Sequence, residues 1–267
     1  MISVVHLGTI DYATGLRVQQ QLVAFRKEEK IGDVLLLLEH KPVITLGRNA
    51  KAANVIASPE LLAQRGVEIF ECDRGGDVTF HGPGQLVGYP IFDLRGYAAD
   101  GNRKTLGAVD FVRRLEEVLI RSCADLAIET KRMPGLTGVW TNANLLSSRA
   151  EQDDSKNRRA QSRDLLFADA TTNAEAKLAA IGIHISRFVT SHGFALNVNT
   201  DLTYFNLIIP CGITTKPVTS MQQELNKPLD MNAVAESVAR NFGTVFSSQM
   251  LWVESLDAIL GLTVRAL

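Results

Sequence analysis

EAKLAAIGIHISRFVTSHGFALNVN, residues 175–199, reads as two paired strands, 175–185 and 187–198, with Phe194, Leu196 and Val198 alternating beside polar Asn197 and Asn199. Toward the N-terminus, 4–7 and 33–39 are also strand-like, the second apolar enough to be buried on both faces, with a helix over 16–27 between them. Ser58, Pro59 and Glu60 form a helix start that Gly66 closes, and 67–71 is a strand leading into a glycine-rich segment. The clearest long helix is predicted over 105–126, where Leu106, Val109, Val112, Leu115, Leu119, Cys123 and Leu126 recur at three- and four-residue steps. A last helix is predicted over 229–246, capped by Asp230 and apolar at Val234, Val238 and Phe242. Strand runs mixed with separate helices indicate an α+β fold, not a regularly alternating α/β one.

A chain of 267 residues has room for one large domain or two small ones. Its 46% hydrophobic and 21% charged content excludes disorder and collagen-like repeats. With 28 basic against 29 acidic residues, no global positive field exists to hold nucleic acid or an anionic membrane. The longest aliphatic block, 34–38, is far short of the ~18 residues that span a bilayer, and no basic n-region precedes an apolar stretch, so a cytoplasmic location is expected. Cys72, Cys123 and Cys211 are odd in number and widely spaced, which argues for free thiols over disulfides or a metal site. At 142–173 the composition turns to Ser, Asn, Asp, Arg and Gln, as in a flexible insertion.

Three places could carry chemistry. RGGDVTFHGPGQ, 74–85, is either a phosphate cradle with exposed amides and the charge of Arg74 or a tight hairpin loop; neither nucleotide fingerprint, GxGxxG or GxxxxGK[ST], fits it. His81 within it either orients a reacting group or is a hydrogen-bonded structural residue. In Pro210-Cys211-Gly212-Ile213 the thiol is either a nucleophile, with a neighbouring amide facing a developing oxyanion, or a buried core cysteine. Cys123 belongs to the core, and Cys72 has no activating partner in sequence. Lys177 interrupts a run of apolar and small residues and by itself reads as a solvent-facing strand lysine.

Taken jointly, RGGDVTFHGPGQLVGYPIFDL (74–94), GLTGVW (135–140), KLAAIGIHISRFVTSHGFALNVN (177–199) and IIPCGI (208–213) resemble the lipoyl(octanoyl) transferase family, in order and over most of the chain. The resemblance implies a central mixed β-sheet with surrounding helices, the catalytic-domain fold of biotin and lipoate protein ligases, with 1–267 forming one catalytic domain. It implies transfer of octanoyl from octanoyl-acyl carrier protein to a lysine of lipoyl domains, those of 2-oxoacid dehydrogenase E2 subunits and of the glycine cleavage H protein, without a cofactor. Cys211 aligns with the family's acyl-thioester nucleophile and Lys177 with its lysine partner. Arg74, Gly75, Gly76, Asp77, Val78, Thr79, Phe80 and His81 match segments that hold the acyl substrate, as do Ala180, Ile181 and Gly182, and Gly193, Phe194 and Ala195. His192 falls in the same neighbourhood. Phe80 stands where the family commonly has tyrosine and Ser191 where threonine is usual, so hydrogen bonds are not expected from those two positions.

The implied chemistry is consistent with the residue types. An ammonium beside a thiol favours the nucleophilic thiolate, and the same lysine can pass a proton to a departing thiolate and later take one from an attacking amine. A ligase of the same fold class, working through an acyl-adenylate, needs ATP recognition and has no use for Cys211. A non-catalytic module binding acyl carriers or lipoyl domains would need neither Cys211 nor Lys177.

Overall fold

The computed structural model describes residues 1–98, 105–142, 175–213 and 215–260. The insertion expected at 142–173 lies outside the described residues except for Asn142. Strands are β1 Ile2–Ile10, β2 Asp33–His40, β3 Val43–Leu46, β4 Glu68–Glu71, β5 Val78–His81, β6 Gln85–Ile91, β7 Thr130–Met133, β8 Leu136–Thr141, β9 Lys177–Ser186, β10 Val189–Asn197 and β11 Met250–Trp252. The α-helices among the described residues are α1 Tyr12–Lys27, α2 Pro59–Gln64, α3 Ala108–Ala124, α4 Met221–Leu225, α5 Met231–Val245 and α6 Leu256–Leu260.

Among the described residues the strands form a large mixed sheet, ordered β11-β1-β2-β6-β10-β9-β8-β7, and a small one, β4-β3-β5. In the large sheet β1 runs parallel to both β11 and β2, and the remaining neighbours are antiparallel. The α+β expectation with a central mixed sheet therefore holds. β2 shows why both faces of this sheet are covered: Leu35 and Leu37 enter one core, beneath α3 and α5, while Val34, Leu36 and Leu38 enter the other, beneath α1. A third core, built on Ile44, Val78, Phe80 and Phe205, fills the small sheet.

Local signals account for the helix ends. Ser58 accepts from the Leu61 amide with Pro59 in the first turn, and Asp230 accepts from the Asn232 amide. Two expectations are corrected. Val109 is 71% exposed, because the helix starts at Ala108 and its buried stripe is Phe111, Leu115, Val118, Leu119 and Cys123. Segment 74–85 is no hairpin loop: β5 pairs with β3 in the small sheet while β6 pairs with β2 and β10 in the large one. The Gly82-Pro83-Gly84 turn carries the chain from one sheet to the other. Gly84, at φ +78°, is needed there, since a Cβ would sit 2.5 Å from the Asn199 carbonyl oxygen.

Candidate active site

Lys177 opens β9 with its main chain fixed on both sides, its amide donating to the Pro217 carbonyl (2.8 Å) and its carbonyl accepting from the Thr219 amide (3.0 Å). Its side chain is not solvent-facing: the residue is 7% exposed, and the ammonium lies over the Trp140 ring, 5.0 Å from the centroid. Nζ reaches Cys211 Sγ at 3.4 Å. Room for that side chain depends on Gly138 of β8, where a Cβ would sit 3.1 Å from Lys177 Cε and 2.5 Å from the Ala179 carbonyl oxygen. The Gly138 amide is in turn held by the fully buried carboxylate of Glu116 on α3, which also binds Arg113 and Arg132.

Cys211 sits in a 3-10 turn, Pro210–Gly212, with φ 55° and ψ 19°. Left-handed backbone in a residue with a Cβ costs roughly 1–3 kcal/mol and persists only where the surroundings enforce it. The sequence expectation of a free amide beside the thiol is corrected at Gly212, whose N–H donates to the Ile209 carbonyl at 3.1 Å.

A cavity of about 250 Å³ opens at this pair. Arg74, Gly75, Gly76, Asp77, Thr79, His81, Ala180, Ile181, Gly182, Gly193, Phe194 and Ala195, all singled out from sequence, line it with Lys177 and Cys211. Val78 and Phe80 do not, which corrects their assignment. On β5 side chains alternate, so Thr79 and His81 face the cavity while Val78 and Phe80 enter the core of the small sheet. There Phe80 stacks on Tyr204 with ring centroids 4.7 Å apart.

Arg74 does not act as a free charge in a phosphate cradle. Its guanidinium donates to the Thr45 hydroxyl and carbonyl and to the carbonyls of Gly75 and Asp77, at 2.6–3.1 Å. Thr45 Oγ1 lies 3.4 Å from His81 Nε2, and His81 Nδ1 lies 2.7 Å from Gln85 Oε1. These partners place the proton on Nδ1, donating to Gln85, and leave Nε2 to accept from Thr45. Burial, with His40 and Arg74 adding repulsion, pushes the His81 pKa down to about 3. The imidazole is therefore neutral. The Gln85 amide then donates to Asn197 Oδ1 at 2.8 Å, and Asn197 donates to the Thr219 carbonyl at 2.9 Å, so a buried polar chain runs from Arg74 to the segment that holds Lys177.

Sequence reasoning missed Thr45, Gln85 and Asn197 in this chain, the ring of Trp140 under the ammonium, and Tyr12, Tyr89 and, where β7 turns into β8, Gly135, Leu136 and Thr137 among the cavity walls. The four-residue β3 and the β7–β8 turn give no periodic signal to find them by. Cys72 donates to the Leu46 carbonyl, and Cys123 is fully buried, with burial pushing its pKa up to about 12. Among the described residues no group of three or more His, Cys, Asp or Glu side chains is placed to hold a metal ion. No described helix is long and apolar enough to cross a membrane.

Residues 11–243 match the family model described as the lipoyl protein ligase A/B catalytic domain. The chain is 56% identical over 260 residues to an octanoyltransferase of Koribacter versatilis, covering 97% of this chain and 90% of that one. It is 53% identical over 262 residues to an octanoyltransferase of Acidobacterium capsulatum, covering 97% and 96%. Among solved structures, a bipartite lipoate protein ligase from Thermoplasma acidophilum superposes with a TM-score of 0.62, covering 99% of this chain and 98% of that one at 13% identity. That likeness is one of fold.

Proposed function

Because the chain belongs to the lipoyl(octanoyl) transferases of the lipoyl protein ligase A/B catalytic-domain family, we propose that it moves an octanoyl group from acyl carrier protein to a lysine of a lipoyl domain through a thioester on Cys211. The observation that carries this reading is the 3.4 Å contact between Lys177 Nζ and Cys211 Sγ in the wall of the cavity. The lipoyl domains of E2 subunits and of the glycine cleavage H protein are the acceptors that the reading names.

In the first half the Cys211 thiolate attacks the carbonyl carbon of the octanoyl thioester. The carbonyl reforms as the bond to the carrier's pantetheine sulfur breaks, and the Lys177 ammonium gives that sulfur a proton. Octanoyl-Cys211 and a neutral Lys177 remain. In the second half the amine of the acceptor lysine attacks octanoyl-Cys211, Lys177 takes the proton the nitrogen sheds, and the Cys211 thiolate leaves. An amide has formed and the thiolate–ammonium pair is restored, with no nucleotide consumed. The Trp140 ring under the ammonium, and the room left at Gly138, set the lysine side chain against the thiol, which keeps proton donor and nucleophile in reach of one carbonyl.

The test is to mix the protein with octanoyl-acyl carrier protein, without ATP and without acceptor. Intact mass should show one octanoyl group, neutral hydroxylamine should remove it, and peptide mapping should assign it to Cys211. Cys211→Ala should remain unlabelled, whereas Cys72→Ala should label like the wild type. Acceptor modification that strictly requires ATP and free octanoate would overturn the reading in favour of a ligase.

A further inference from the structure

Strict alternation on β10 assigns His192 to the face of Phe194 and Leu196, which pack into the core under α3 and α5. The structure places it on the opposite face. Its φ is +56°, its amide donates to Gln19 Oε1 on α1 at 2.8 Å, and its ring stands edge-on to Tyr89 with centroids 6.5 Å apart. Nε2 meets Asp73 Oδ1 at 2.7 Å. Left-handed backbone outside glycine costs energy, and here it swings one imidazole out of the core and into the cavity wall.

That imidazole, on a residue 3% exposed, borders two cavities. One is the cavity of Cys211; the other, of about 540 Å³, is bounded by Gln19, Cys72, Asp73, His184 and Ser186. The register gives the spacing along the sheet. Cys211 and Lys177 share a small recess with Ala180 and Ala195, which pair across β9 and β10. His192 pairs with Ile183, three residues farther along, roughly 10 Å at ~3.3 Å per residue. The seven C–C bonds of an extended octanoyl group, each ~1.5 Å and set in a tetrahedral zigzag, span about 9 Å end to end. His184 and Ser186, farther along the same strand, already belong to the second cavity.

Resting on the octanoyl reading above, the geometry points to His192 as the residue that sets acyl length: its ring, clamped between Asp73 and Tyr89, ends the acyl cavity at eight carbons and shuts off the space beyond. A longer chain attached at Cys211 runs its terminal methylenes into a hydrogen-bonded imidazole–carboxylate pair. With the ring gone, the two cavities join and the extra methylenes have room.

The experiment compares octanoyl-, decanoyl- and dodecanoyl-acyl carrier protein as donors, reading the rate of acyl-enzyme formation by intact mass. His192→Gly removes the ring from a position whose left-handed backbone suits glycine, and His192→Asn shortens it while tolerating the same backbone. Wild type should favour octanoyl over dodecanoyl by at least about tenfold, the low end of what one methylene decides in a shaped pocket. The dodecanoyl-to-octanoyl ratio should rise by at least about tenfold in His192→Gly, and in the same direction in His192→Asn, which carries the test if the glycine variant does not fold. An unchanged ratio in a folded variant, or a wild type that takes both chains equally, overturns the inference. Failure of wild type to take up octanoyl at all would instead overturn the transferase reading.

Discussion

Lowering the pH from 7 to 5 should cost this fold about 4 kcal/mol through two imidazoles that are buried neutral. His81 is pushed down to about 3 and His40 to about 4, burial being the main cause for both. Their hydrogen bonds agree: His40 Nδ1 donates to the Ile10 carbonyl (3.2 Å) and Nε2 accepts from the Tyr89 hydroxyl (2.6 Å), so a second proton has no acceptor to face. In the unfolded chain both titrate near ~6.5. Because the folded values are depressed, the stabilisation is fully present above ~6.5 and is lost as pH falls toward the folded values, the unfolded state binding protons that the native state refuses. At pH 5 each histidine is ~1.5 units into that window, about 2 kcal/mol apiece at 1.36 kcal/mol per unit. Exposed Asp73 and buried Asp93, both with lowered pKa values, lose their contributions only at more acidic pH, so the window from 7 to 5 reports on buried histidines, His192 adding in the same direction because burial lowers its pKa too. Urea unfolding should show the midpoint falling by about 1–2 M between pH 7 and pH 5 at a slope of ~2–3 kcal/mol/M. Midpoints that agree to within about 0.3 M would refute the argument, as would an imidazole resonance of His81 that titrates above pH 5 in the native protein.

Lys177→Ala should lower turnover by ~10²–10⁴ while the circular dichroism and melting temperature stay native-like, and Lys177→Arg should not restore it, because a guanidinium does not surrender its proton. Transfer by folded Lys177→Ala at near wild-type rates would remove the lysine from the mechanism. Gly138→Ala should destabilise by about 2–5 kcal/mol in chemical denaturation, combining a backbone angle of φ +123° that alanine rarely adopts with a Cβ 2.5 Å from the Ala179 carbonyl oxygen. Where it still folds, its acylation of Cys211 should fall as well, since the same methyl crowds Lys177 Cε.

Elements whose signal is local were legible in the chain itself. Asp230 with Val234, Val238 and Phe242 specified α5, and Ser58-Pro59 with Gly66 specified α2. β9 and β10 followed from alternation, because each is long enough to show it. What escaped depends on partners distant in sequence. β3 and β5 are four residues each and become strands by pairing with one another, so a glycine-rich stretch concealed β5 and nothing periodic marked β3, two of the three strands of the small sheet. Glu116 is fully buried on a helix face where a carboxylate would be expected outside, because Arg113, Arg132 and the Gly138 amide meet it there. Cys211 and Lys177 were reached through family resemblance, since either alone is ambiguous and only the fold brings residues 34 positions apart within 3.4 Å. Resemblance over whole segments also overreached: it swept Val78 and Phe80 into the site along with their neighbours, a distinction that strand alternation makes and a matched segment does not.

Both ends of the acyl cavity are marked by a side chain on left-handed backbone, Cys211 at φ 55° and His192 at φ 56°. Glycine relieves such a backbone at no steric cost, a gain that stands at the partly exposed Cys211 but is opposed at His192, where it would also delete a buried ring bonded to Asp73. Screening random variants for thermal robustness, without an activity filter, should therefore enrich glycine at 211 and not at 192, yielding sturdier proteins that have lost the thiol at one end of the cavity and kept the wall at the other. A stability-driven redesign of this scaffold would have to hold position 211 fixed.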